Sequence, residues 1–179
     1  MLEGKTVNLR IMEKEDLPLL HEWNNNSDFR GEFRQLTQET KTNMERLYEN
    51  LKNSQWFLIE KKDGTKIGEI GHLLEAGEVE VGYFVVPNER RKGYATEAIT
   101  IMVDYLFLSR DIVRIQAKAD PENTASCKAL EKSGFKKEGI LRKTFFSRGR
   151  WKDDCMFSIL REEWKEPKIL TKTKKMRPS

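Results

Sequence analysis

With only two cysteines and two histidines in 179 residues, the chain has little from which to build a metal centre or a disulfide framework. Cys127 and Cys155 form no Cys-x-x-Cys pair, and no Cys/His group has the spacing of metal ligands, so reduced thiols and no metal are expected. Long apolar runs are missing too. No stretch approaches the roughly 20 residues of a membrane helix, and the opening residues lack an apolar signal-peptide core. These absences lead to the expectation of a soluble, cytoplasmic protein with no membrane partner. There are five prolines and eleven glycines, with no Pro/Gly/Ser-rich linker and no internal repeat. One domain is therefore expected over residues 1–167, followed by a basic, mobile tail over 168–179. Neither sign of charge dominates: 33 Lys and Arg stand against 29 Asp and Glu, a net charge of +4. That balance suits a phosphorylated cofactor or nucleic acid and selects neither.

Hydrophobic residues make up 37% of the chain and fall into short runs separated by turns, as a folded core requires. Val7–Met12 alternates apolar and polar residues and reads as a strand. A helix opening at Glu15-Asp16 carries Leu17, Leu20 and Trp23 on one stripe and ends at Asn24–Ser27. A second helix is expected from about Thr37 to Lys52. Trp56–Ile59, Ile67–Leu74 and Val79–Val86 read as strands of a meander, turned at Asp63-Gly64 and around Glu75-Ala76-Gly77. Beyond Pro87 the pattern changes to an α/β alternation: a buried helix Thr96–Leu108, a strand Val113–Ala119, a helix Asn123–Ser133 ended by Gly134, and strands at Phe135–Gly139 and Met156–Leu160.

The most informative stretch is Val85-Val86-Pro87-Asn88-Glu89-Arg90-Arg91-Lys92-Gly93-Tyr94-Ala95-Thr96. It combines a strand end, a basic loop and a helix start. Free N–H groups at a helix N-terminus favour an anion, successive loop amides can form an anion nest, and Gly93 allows close approach of a phosphate. The segment is not a P-loop, which ends in Gly-Lys-Ser/Thr, nor a three-glycine dinucleotide fingerprint.

Arg90-x-x-Gly93-x-Ala95 resembles the pyrophosphate loop of the GNAT superfamily of N-acetyltransferases, and Asn123-x-x-Ser126 with Lys132-x-Gly134-Phe135 resembles its second block. The likeness covers nearly the whole chain. Leu9-Arg10, Glu15-Asp16-Leu17, Trp23-Asn24 and Arg148-Gly-Arg150-Trp151-Lys152-Asp153 are most similar to the RimJ/RimL-like branch. The resemblance implies an α/β fold with a mixed, mostly antiparallel sheet of six to seven strands, splayed central strands and helices on both faces. It implies acetyl-CoA as co-substrate, with its arm along Tyr83, Phe84 and Val85 and its pyrophosphate on Arg90, Arg91, Lys92, Gly93, Tyr94, Ala95 and Thr96. Asn123, Ser126 and Lys132 complete the implied cofactor set; Asn123 reads equally as a helix N-cap.

The implied reaction is attack of a neutral amine, from a protein N-terminus or a small molecule, on the thioester carbonyl. Many members place a tyrosine general acid seven residues after the block's asparagine. Here that position is Leu130, and Ser126 is the substitute. Glu80 leads as general base; Glu69, His72 and a relaying water are alternatives. Phe29–Arg34, with Trp56 and Phe57, occupies the acceptor region of relatives, with no acidic lining that would single out a polycation. A homodimer is a further implication. Two competing functions remain: an acyl-CoA-binding sensor that has lost catalysis, motivated by Leu130, and a nucleic-acid binder using Lys172–Arg177. The second lacks the interleaved aromatics of a base-stacking surface.

Overall fold

Alternation along the chain becomes burial in the fold. Val7 and Leu9 are fully buried while Asn8 and Arg10 between them are not, so one face of their strand meets the core. The computed structural model describes residues 1–51, 54–75 and 78–170. In chain order the elements are β1 (Leu2–Glu3), β2 (Val7–Ile11), α1 (Leu17–Asn25), α2 (Ser27–Arg30), α3 (Lys41–Glu49), β3 (Ser54–Lys61), β4 (Lys66–Glu75), β5 (Glu78–Val85), α4 (Tyr94–Ser109), β6 (Arg114–Ala119), α5 (Thr124–Lys132), β7 (Lys136–Ser147) and β8 (Arg150–Leu160).

The eight strands form one sheet in the order β1-β2-β3-β4-β5-β6-β8-β7. All neighbours are antiparallel except β5 and β6, which are parallel because α4 crosses over between them. The expected six to seven strands become eight: β1 is too short to show a period and exists by pairing Leu2 with Leu9 and Glu3 with Asn8. The turn at Asp63-Gly64 forms as expected, with Gly64 at φ 83 and Asp63 accepting from the Thr65 N–H. The turn residues Ala76 and Gly77, Lys52, and tail residues 171–179 lie outside the described residues.

Two helices depart from expectation. The second begins at Lys41 rather than Thr37, because Thr40 takes the N-cap and accepts from the Asn43 N–H at 3.1 Å. Asn24–Ser27 does not simply end α1: Asn26 accepts from the Asp28 and Phe29 N–H groups and starts the short α2. The final hairpin is also longer than expected. β7 and β8 run on through the largely exposed stretch 140–155 and turn at Arg148-Gly149, both at positive φ. That extension projects past the core, so hydrophobic periodicity gave no sign of it.

Helices cover both faces. Ala98, Ile99, Met102 and Leu106 of α4, with Ala129 and Leu130 of α5, pack on Ile70, Val79, Val81 and Val85. Leu17, Leu20 and Trp23 of α1 and Met44 of α3 pack on Leu58 and Phe84 from the other side. The even-numbered residues of β5 therefore look toward α1–α3 and the odd ones toward α4. Beyond β8, the fully buried Asp104 on α4 accepts from the indole N–H of Trp164 and the backbone N–H groups of Lys168, Ile169 and Leu170. The domain boundary expected after residue 167 thus falls inside a segment held by α4. Among the described residues no helix is long and apolar enough to cross a membrane.

Candidate active site

Parallel strands that separate create an opening within a sheet. β5 and β6 pair only at Val79↔Ile115 and Glu80↔Gln116, although β5 continues to Val85 and β6 to Ala119. The Val86 N–H donates to Ile67 on the β4 side. By the alternation of an antiparallel ladder, the backbone groups of Tyr83 and Val85 face the opening instead.

At the open end stands the basic loop. Pro87–Glu89 forms a 3-10 turn, Arg91 takes φ 64, and Gly93, at φ 87, is the N-cap of α4. Gly93 offers no side-chain acceptor to the first-turn amides. Among the described residues nothing lies within 4 Å of where a Cβ on Gly93 would stand. Tyr94, Ala95 and Thr96 occupy that first turn, whose N–H groups point outward for an anion. These residues fit a diphosphate. Lys92 pairs with Glu89 at 2.9 Å.

Arg90, expected beside the phosphates, engages other partners. Its Nε donates to the Val85 carbonyl at 2.8 Å and its Nη2 to the Phe29 carbonyl at 2.9 Å, with the guanidinium 5.5 Å from the Phe84 ring centroid. It pins the loop to α2. It also occupies the Val85 carbonyl, which leaves the Val85 N–H as that residue's group toward the opening. Phe84, expected along the cofactor arm, is buried on the α1 side against Trp23.

Across the opening, the Tyr83 hydroxyl lies 2.7 Å from Ser126 Oγ and 3.3 Å from the Ser126 carbonyl. Burial pushes the Tyr83 phenol up to about 12, against the lowering effect of its bond to Ser126, so it remains protonated at any working pH. Asn123 caps α5 by accepting from the Ser126 N–H at 3.1 Å. Lys132 is exposed at the far end of α5, and Leu130 is fully buried in the core.

On the α1 face, Glu80 forms a 2.8 Å ion pair with Lys118. Asp154 of β8 lies near both. Burial raises its carboxyl, partly offset by the Thr144 hydroxyl and Lys118, while Asp120 and Glu80 push it further up. Sequence reasoning missed Asp154, which feels the charges of Lys118 and Glu80 only through the order of β5, β6 and β8 in the sheet. Glu69, opposite Phe84 in the β4–β5 ladder, pairs with Arg34 at 3.5 Å. His72 is buried, and its Nδ1 has no partner among the described residues; burial and then the charge of Arg110 lower it to about 4. Phe57 is core, and Trp56 lies against Gly71. Phe29–Arg34 forms α2 and the loop after it, joined to the site through Arg34 and Arg90. No metal-ligand cluster occurs among the described residues.

A profile of the acetyltransferase (GNAT) domain matches residues 6–136. The uncharacterized N-acetyltransferase p20 of Bacillus licheniformis is 41% identical over 110 residues, a match spanning 60% of this chain and 62% of that relative's length. The probable N-acetyltransferase YjcK of Bacillus subtilis (strain 168) is 32% identical over 178 residues, spanning 89% of this chain and 97% of the relative. Spermidine N(1)-acetyltransferase of Escherichia coli (strain K12) is 27% identical over 172 residues, 92% and 91% of the two chains. A crystal structure of spermidine N-acetyltransferase from Vibrio cholerae, in complex with CoA and spermine, superposes with a TM-score of 0.80 at 25% identity over 89% of this chain and 98% of that one. These relatives correct the expected RimJ/RimL-like assignment, since the likeness runs to spermidine acetyltransferases instead. The segments that suggested that branch build β2, α1 and the β7–β8 hairpin, which belong to the shared fold and mark no branch. With the profile covering most of its length, the chain belongs to the acetyltransferase (GNAT) domain family.

Proposed function

We propose that this protein transfers an acetyl group from acetyl-CoA to an amine by direct attack in a ternary complex. The observation that carries the proposal is the opening between β5 and β6 lying beside the uncapped amides of α4. An anionic coenzyme with an extended arm has a phosphate cradle at Arg91–Thr96 and an unpaired strand edge at Tyr83–Val85 to follow. Acetyl-CoA supplies an activated acyl group as a thioester; the protein's task is to orient, polarise and move protons.

In this reading the Val85 N–H donates to the thioester carbonyl oxygen as negative charge develops there. Glu80, oriented by its ion pair with Lys118, takes the proton of the attacking amine on the α1 face. Asp154 is a second carboxylate within the same group. Ser126, backed by the Tyr83 hydroxyl, donates toward the departing sulfur. Asn123 caps α5 and so sets the position of Ser126; a contact from its amide to the coenzyme arm is part of the same proposal, with Lys132 further along the helix. The single domain, a cytoplasmic location and self-association also belong here. The free thiols of Cys127 and Cys155 suit the second, and the exposed Ile140, Phe146 and Trp151 on the β7–β8 hairpin suit the third.

The test is thiol release from acetyl-CoA over a panel of amines, with coenzyme binding measured separately by calorimetry. Binding with amine-dependent thiol release is the expected result. Binding without turnover of any amine would favour a non-catalytic acyl-CoA-binding module, and absence of binding would remove the proposal.

A further inference from the structure

The charge on the α1 face of the sheet has a consequence for the acceptor. Arg34 lies with its guanidinium carbon 5.0 Å from the Phe84 ring centroid, and Arg90 lies 5.5 Å from the same centroid. Arg30 donates to the Asn24 and Gln35 carbonyls at 2.8 and 2.6 Å, and Arg148 donates to the Gly31 carbonyl at 3.1 Å. These bonds fix the loop after α2 but neutralise nothing, because backbone carbonyls carry no net charge. The carboxylate in ion-pair range of Arg34 is Glu69, at 3.5 Å; Glu39 acts on Arg30 as well, and Glu32 in the same loop is exposed. Burial and the nearby Arg34 lower both Arg30 and Arg90, which is what cations confined together do.

The cluster borders the place from which an amine would come. Gly82 is exposed on this face, opposite Gly71 in the ladder, and the nearest atom to a Cβ built on it is the Trp56 ring at 3.8 Å. The open floor at Gly82 lies between Glu80, the proposed base, and Phe84, on which Arg34 rests. Of the arginines, Arg34 has its guanidinium on a ring and a single carboxylate rather than on backbone carbonyls, and its side chain is one-third exposed.

Resting on the acetyltransferase reading above, we infer that the acceptor is a small amine that also carries a carboxylate or phosphate, held by Arg34, rather than a polyamine. A guanidinium stacked on an aromatic ring presents its planar donor fork to such an anion. A second ammonium at the same place meets four arginines against the carboxylates of Glu69, Glu39 and Glu32, and like charges in a partly desolvated site repel. The relatives named for spermidine share the fold of this chain.

The experiment uses matched acceptors with the full chain: 4-aminobutyrate, butylamine and 1,4-diaminobutane present one primary amine with an anionic, neutral or cationic far end. 2-Aminoethyl phosphate against ethanolamine separates phosphate from carboxylate. The expected order in kcat/KM is anionic above neutral above cationic, with about tenfold or more between the extremes. Arg34→Gln should flatten the order and Arg34→Glu should invert it, while calorimetry shows unaltered coenzyme binding in both. Preference for 1,4-diaminobutane or spermidine, or an order unchanged in Arg34→Glu, would overturn the inference and leave the acetyltransferase reading intact. Failure of the parent protein to bind coenzyme would overturn both.

Discussion

A hydroxyl pair bridges the opening where the proposed thioester lies. Tyr83 and Ser126 were each read from sequence as cofactor contacts, with Ser126 also as the acid. Their 2.7 Å contact makes them one unit. Tyr83→Phe should lower kcat by about 10- to 100-fold, within the range for one positioned proton donor, with coenzyme affinity unchanged. Added to Ser126→Ala it should cost little more, since groups that act together are not additive. Independent effects in a double-mutant cycle would separate the two. Glu80→Gln should reduce turnover and change its pH profile without touching coenzyme binding; an unaltered profile would take Glu80 out of the base role. Away from the site, Asp16 accepts from Arg10 at 2.8 Å, from Lys66 at 2.9 Å and from the Glu13 N–H at 2.9 Å. Burial works to raise its carboxyl, but these bonds prevail and hold it at about 2. The folded state therefore binds this proton more weakly than the unfolded chain does. The resulting stability, about 2 kcal/mol, is complete above the unfolded value near 4 and is lost as pH falls through about 2. Denaturant titrations at pH 7 and at low pH should show this loss in the parent and its absence in Asp16→Asn.

At the scale of elements, α4 links three functions. Its N-terminus carries the uncapped amides, and Glu97 in the same first turn meets the segment joining β1 to β2. Glu97 accepts from the Thr6 N–H at 2.8 Å and from the Lys5 N–H and the Thr6 hydroxyl. Its later turns hold the carboxy-terminal segment through Asp104. Gly93→Val puts a β-branched residue at φ 87, a strain of about 1–2 kcal/mol. The loop should relax away from the binding conformation, and coenzyme affinity should fall about tenfold or more; calorimetry showing parental affinity would count against the phosphate cradle. Asp104→Ala leaves the Trp164 indole and three backbone N–H groups without their acceptor. A loss of about 3 kcal/mol or more is expected, read from the denaturant midpoint, with coenzyme affinity at saturating protein stability little changed.

For the molecule as a whole, ligand binding and folding are one equilibrium. Coenzyme at 100 times its Kd should stabilise the native state by about 2.7 kcal/mol, a rise of about 5–10 °C in Tm for a domain of this size. With a tenfold loss of affinity, Gly93→Val should lose about half of that rise at the same concentration. Local signals made much of this architecture legible beforehand. Alternation and short apolar runs between turns placed β2–β6, the Leu17/Leu20/Trp23 stripe placed α1, and the loop around Gly93 with the Asn123 block pointed to the family. Those patterns are dictated by covalent neighbours a few residues apart, through backbone geometry and the period of burial, so a linear reading captures them. The separation of β5 from β6, the reach of Arg90 to Phe29, the meeting of Tyr83 with Ser126, the pairing of Glu80 with Lys118, and the packing of Arg34 on Phe84 are of another kind. Each joins residues distant in the chain through strand order, register or the packing of α2 on the sheet, and no local energy in the sequence encodes which charge or hydroxyl ends beside which. The loop and helix start proposed for the coenzyme were thus legible in the sequence, and the surface proposed for the acceptor only in the tertiary fold.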